Sequence, residues 1–208
     1  PVASCDLGRA PQRVFARDEL NSKAMHRSLR LVHPEKVPSS LGDARVGVRF
    51  SLLGDSLQAE FEVHAAGLHF NPDLPKEGSQ WGLWDWDVVE VFVTAGGPSY
   101  FEFQVSPLSQ SFELEIFEPR KRFDREFRCG WKRKSSYEET GDGIVWTARL
   151  SLPLKELGWN GDPSSIRGGA FAILGASGER GYWSLFLPPQ SKPDFHLPAE
   201  FRPLLDQG

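Results

Sequence analysis

The sequence predicts an all-β fold, a two-layer antiparallel β-sandwich of jelly-roll or immunoglobulin-like type with about ten strands. Three observations carry this expectation. Apolar and polar residues alternate with period two in run after run. Clusters of Gly, Pro, Asp and Ser punctuate those runs. The one convincing helical signal is a single turn, Leu154-Lys155-Glu156-Leu157, opened by Pro153 and stopped by Gly158.

Taken in order, residues 1–40 are weakly patterned and are expected to drape over the sandwich edge as an N-terminal arm, with the sandwich itself spanning 41–208. Val46, Val48, Phe50 and Leu52 alternate with Arg45, Gly47, Arg49 and Ser51. After Gly54-Asp55, Leu57, Ala59, Phe61 and Val63 alternate with Gln58, Glu60, Glu62 and His64, which completes a hairpin with one buried face. Phe101, Phe103 and Val105 alternate with Tyr100, Glu102 and Gln104, and Phe112, Leu114 and Ile116 with Glu113 and Glu115. Ile144, Trp146, Ala148, Leu150 and Leu152 form another alternating run, so Trp146, like Trp131, is expected in the core. Ala170 to Leu174 is apolar on both faces, and Tyr182 to Leu187 reads as a further aromatic strand.

The composition excludes several classes. A hydrophobic share of 39% with 25% charged residues is that of a globular chain. No apolar run approaches the roughly 18 residues of a membrane helix. The net charge of -4 is spread among interspersed acids and bases, which argues against a nucleic-acid surface. Arg128, Lys132, Arg133 and Lys134 are expected to form a solvated strand face. Fifteen Phe, seven Trp and three Tyr stand against a single Met, a surplus beyond what a core needs. The two cysteines, Cys5 and Cys129, cannot define a disulfide framework, and whether they pair stays open. Val2-Ala3-Ser4-Cys5 fits the pattern ahead of a lipidated cysteine in bacterial lipoproteins, although no charged and apolar signal precedes it. A start at Pro1 after removal of an initiator Met is the other reading. A periplasmic or secreted location is the favoured expectation.

The stretch that carries chemistry is Trp81-Gly82-Leu83-Trp84-Asp85-Trp86-Asp87-Val88-Val89-Glu90. If 95–99 forms a hairpin loop, Val93 pairs with Phe101 and Val91 with Phe103 on the core face. Glu90 then faces Gln104, and Phe92 faces Glu102, on the other side, with cross-strand Cβ atoms about 4.5–5.5 Å apart. A carboxylate and an amide beneath an aromatic wall at Trp84 suit a pyranose, which has apolar C–H faces and a hydroxyl edge.

Trp84-x2-Asp87-x2-Glu90, followed by the Tyr-x-Glu-Phe strand at Tyr100 and by Ser106-Pro107, resembles the central signature of family 9 carbohydrate-binding modules and their DOMON-like relatives. Gly181-Tyr182-Trp183-Ser184-Leu185 and Lys192-Pro193-Asp194-Phe195-His196 resemble the ending of bacterial DOMON-like proteins. The resemblance implies a non-catalytic domain that holds a neutral mono- or oligosaccharide end between two Trp rings. By position it makes Trp84 one face, Trp183 the second, and Glu90 a hydroxyl acceptor. Gln104 stands where the family commonly has Arg. Glu102, Trp86 and His196 complete the candidate ligand-binding set.

Rival readings accompany these. Asp85 and Asp87 are candidate ligands for a structural calcium. A haem-binding variant would need a His and a Met, and the one Met is Met25. A ligand-free structural or protein-interaction domain would pack the Trp81–Trp86 loop inward or cover it with another chain. No Gly-x-Ser-x-Gly elbow, His-Glu-x-x-His or phosphate loop is present, and a glycoside hydrolase would rest on Glu90 and Glu102 alone.

Overall fold

The computed structural model describes residues 27–205. Thirteen strands occur among them. In chain order they open with β1 (Arg27–Ser28), β2 (Arg30–His33), β3 (Arg45–Leu53) and β4 (Ser56–Ala65). Next come β5 (Val88–Ala95), β6 (Tyr100–Val105), β7 (Ser111–Glu118), β8 (Arg122–Asp124) and β9 (Lys132–Thr140). The last are β10 (Gly143–Pro153), β11 (Ile166–Leu174), β12 (Gly181–Ser184) and β13 (Arg202–Pro203). The helical signal at Leu154–Leu157 is a 3-10 turn. No helix among the described residues is long and apolar enough to cross a membrane.

Two antiparallel sheets result. One has the order β1-β3-β4-β10-β9; the other runs β2-β12-β11-β5-β6-β7-β8, with β13 also paired to β11. Alternation decides what lies between them. Val46, Val48, Phe61, Val63, Trp146 and Leu150 from the first sheet meet Val89, Val91, Val93, Phe101 and Phe103 from the second in one apolar core. Trp131 is buried there too, while Lys132 and Lys134 point to solvent.

Two boundaries differ from expectation. The sandwich begins before residue 41, because β1 and β2 join different sheets and Leu29 and Val32 are buried. Their pattern is too short to register as alternation. The strand read through Leu187 stops at Ser184, whose Oγ accepts from the backbone N–H groups of Phe186 and Leu187. A side chain thereby replaces the sheet partner at the turn. Cys5 and Met25 lie outside the described residues. Cys129 is buried and forms no bridge among the described residues, with its backbone N–H donating to Glu113 Oε2 at 3.2 Å.

Candidate functional site: a cavity on the outer face of the larger sheet

A second apolar cluster lies on the opposite face of β5, β6, β7 and β11, away from the inter-sheet core. It surrounds a cavity of about 310 Å³, at the lower end of the range for small-molecule sites.

The floor comes from the β5–β6 hairpin. Its loop lies between Ala95 and Tyr100, and this fixes the register as expected: Glu90 opposite Gln104, and Phe92 opposite Glu102. Gln104 is 1% exposed, Glu90 2% and Glu102 4%. Gln104 Nε2 donates to Glu102 Oε1 at 2.6 Å. That bond orients the amide and leaves Gln104 Oε1 buried with no partner among the described residues. The Glu90 carboxyl has no hydrogen-bond partner among the described residues. Burial, and then the neighbouring Glu102, push its pKa well above the carboxylate range. Burial raises Glu102 to about 7, against the opposing bond from Gln104.

The wall beside β7 comes from a turn and a strand. Gly82, at φ 86°, takes the left-handed conformation that starts the 3-10 turn Leu83–Asp85. Leu83 plugs into the second cluster and Trp84 stands at the cavity edge. Trp84 meets Trp81 edge-on at 4.9 Å and Phe112 at 5.4 Å. Trp81 is 48% exposed, with the Arg125 guanidinium 3.7 Å over its ring. Arg180 Nη1 donates to the Trp84 carbonyl at 2.8 Å, and its Nη2 bonds the Asp85 carbonyl, so the turn is clamped from the β11–β12 connection.

The far wall is built by Tyr182 on β12 and by Phe195, which stacks on Phe171 at 4.4 Å. The end of the cavity is polar. His196 lies with Nδ1 2.9 Å from the Tyr100 hydroxyl, and Arg120 pairs with Asp194. His196 Nε2 sits 3.9 Å from Glu102 Oε2, too far for a hydrogen bond. Burial, and then Arg120, hold the His196 pKa below its ordinary value, so a neutral imidazole faces Glu102.

Of the expected ligand-binding residues, the structure brings together Trp84, Glu90, Glu102, Gln104 and His196. It does not bring Trp183. That indole is 2% exposed within the inter-sheet core, and Tyr182, one position earlier, faces the cavity instead. Successive strand residues point to opposite faces, and small neighbours select which aromatic goes inward. Trp183 pairs with Ala172, and a Cβ at Gly181 would sit 2.3 Å from the indole. Trp86 also lies away from the cavity, stacked on His69 at 4.7 Å.

Asp85 and Asp87 have different surroundings. Asp85 is exposed. Asp87 is fully buried and accepts the backbone N–H groups of His69 at 2.7 Å and Gly175 at 2.6 Å. Burial raises its pKa to about 6, against those two bonds. It ties the loop before β5 to the end of β11. Among the described residues no group of three or more His, Cys, Asp or Glu could hold a metal ion.

Sequence reasoning missed Tyr182, Phe112, Arg120 and the Pro193–Phe195 wall. A signal for Phe112 existed. The tight turn from Ser106 to Gln110 sets Phe103 opposite Glu113, so the alternation reverses phase and the apolar side of β7 faces outward. The cation that Gln104 fails to supply is present as Arg120, although Asp194 occupies it.

No protein-family model matches the sequence, and no curated protein matches it. Solved structures do share the fold. A candidate carbohydrate-binding protein from Bacteroides uniformis superposes with a TM-score of 0.66 at 17% identity, over 86% of this chain and 84% of that one. A family 9 carbohydrate-binding module from Caldicellulosiruptor kristjanssonii, in complex with cellotriose, superposes with a TM-score of 0.50 at 14% identity. That match covers 88% of this chain and 79% of that one. At these identities the likeness is one of fold.

Proposed function

We propose that the chain is a non-catalytic carbohydrate-binding domain that holds the end of a mono- or oligosaccharide in the cavity over β5 and β6. The observation that carries this reading is the unpartnered Gln104 Oε1, buried on the floor of an aromatic-walled cavity. A buried acceptor without a donor costs about 1–3 kcal/mol. A sugar hydroxyl supplies such a donor, and its ring C–H faces suit Trp84 and Tyr182. The solved structures of like fold support the class, since their descriptions name sugar binding.

Holding is favoured over cutting by the placement of the carboxyls. Glu90 and Glu102 stand on adjacent strands of one floor and meet a ligand from the same side. Glycoside hydrolysis needs two carboxyls that flank the scissile bond.

Apolar burial of roughly 100 Å² against each wall is worth about 2.5 kcal/mol per face. Association costs at least about 4 kcal/mol, so binding with Kd of about micromolar to millimolar is expected. A glycan array followed by titration of Trp fluorescence tests the reading. Binding of at least one sugar end supports it, and a blank array at millimolar glycan removes it.

A further inference from the structure

The cavity floor holds more acceptors than the protein satisfies. Glu90 and Glu102 lie diagonally across the β5–β6 pair, and Gln104 Oε1 is a third acceptor without a donor among the described residues. Among the described residues the one donor aimed at this group is Gln104 Nε2, which serves Glu102. Each neighbouring cation is spent elsewhere. Arg120 is paired with Asp194, Arg125 lies over the Trp81 ring, and His196 is neutral and 3.9 Å away. Counting Glu90, Glu102 and Asp194 against Arg120, the cavity lining is acidic. Its aromatic walls add electron-rich ring faces, which attract a ligand cation.

A hydroxyl ligand satisfies Gln104 Oε1 but leaves two buried carboxyls crowded together. Like-charged neighbours in low dielectric cannot both ionise without a counter-charge. A ligand ammonium supplies it: three donors on one positive centre, in place of the proton the two carboxyls would otherwise hold.

We propose that the sugar taken by this cavity is an amino sugar, whose ammonium group sits over Glu90 and Glu102 while Gln104 Oε1 accepts from an adjacent hydroxyl. The inference rests on the carbohydrate reading above and narrows it to a basic hexosamine with a free amine. An acetylated amine has neither the charge nor the three donors, so the site discriminates against it.

The test compares methyl glucosaminide, methyl glucoside and methyl N-acetylglucosaminide by calorimetric titration of the intact chain, with choline as a cation that carries no sugar. Charge-assisted bonds are roughly twice as strong as neutral ones, so the free amine should bind about tenfold tighter than either neutral glycoside. Glu90→Gln and Glu102→Gln should each erase that preference. Both are close in shape and replace a buried acid by a neutral amide, so both should fold, and an unchanged far-UV spectrum checks this. Equal or tighter binding of the neutral glycosides overturns the amino-sugar assignment and leaves the carbohydrate reading intact. Choline binding as tightly as the aminoglycoside also overturns it, because the ring would then contribute nothing. Failure of every glycoside overturns the amino-sugar assignment, while the carbohydrate reading still stands or falls on the glycan array.

Discussion

On the outer face of the five-stranded sheet, Glu60 of β4 lies between two guanidiniums, with Arg149 Nε at 3.0 Å and Arg49 also paired to it. On the outer face of the larger sheet, Glu90 and Glu102 occupy equivalent alternating positions of β5 and β6, yet no cation among the described residues reaches them. In sequence the two pairs look alike, since Glu60 and Glu62, like Glu90 and Glu102, each stand between apolar neighbours in an alternating strand. The difference arises from what covers them. The first face is open to water, which screens its charges and makes its ion pairs inexpensive to form. The second is roofed at its margins by the Trp81–Trp84 turn and the Pro193–His196 segment, so its carboxyls are desolvated and raised in pKa. A fold does not need such a floor for its own stability, which is why the proposed ligand site is placed there.

The contrast can be broken most forcefully at the two adjacent aromatics of β12. Trp183→Ala removes an indole from the core and should cost about 3–5 kcal/mol. At about 2–4 °C per kcal/mol, the thermal midpoint by circular dichroism should fall by roughly 6–20 °C. A shift below about 2 °C would place the ring outside the core. Trp84→Ala should do the reverse. It removes one wall, worth about 2.5 kcal/mol of ligand contact, and should weaken glycan binding by about 60-fold while the midpoint hardly moves.

Titration sharpens the comparison. An unfolded Glu releases its proton near 4.5, whereas folded Glu102 keeps it to about 7. The folded state therefore binds more protons between those values, and stability falls as pH rises through that window. Glu102→Gln should leave stability unchanged at about pH 4.5 and raise it at pH 8 by on the order of 3 kcal/mol. A constant difference across the range would show that Glu102 titrates normally. The smallest effect is expected on the other sheet. Glu60→Gln should cost less than about 1 kcal/mol, and less still in high salt. A larger loss would mean that its ion pairs are not screened as an exposed face requires.

Much of this fold is legible in the sequence, because hairpin loops and alternation fix the register locally. Gly54-Asp55 sets Leu52 against Leu57, and the loop after Ala95 sets Glu90 against Gln104. The floor of the site follows from that register alone. The far wall does not. Gly181-Tyr182-Trp183-Ser184 belongs to a strand largely buried on both faces, so alternation cannot say which aromatic turns inward; the room left by Ala172 and Gly181 decides. Nor does the sequence say that Pro193 to His196 folds back over the sheet. That depends on long-range bonds such as Gln190 N–H to the Val32 carbonyl at 2.8 Å and the Arg120–Asp194 pair.

Sugar holding in the proposed cavity requires that particular indoles meet the ligand. Each of the seven Trp residues gives one indole N–H signal in a nitrogen–proton NMR spectrum, and substitution assigns them. Titration with a glycan that binds should move the Trp84 and Trp81 signals and leave those of Trp146 and Trp183 in place. Movement confined to Trp86, Trp131 or Trp159, with Trp84 unaffected, would contradict the assignment of this cavity as the binding site.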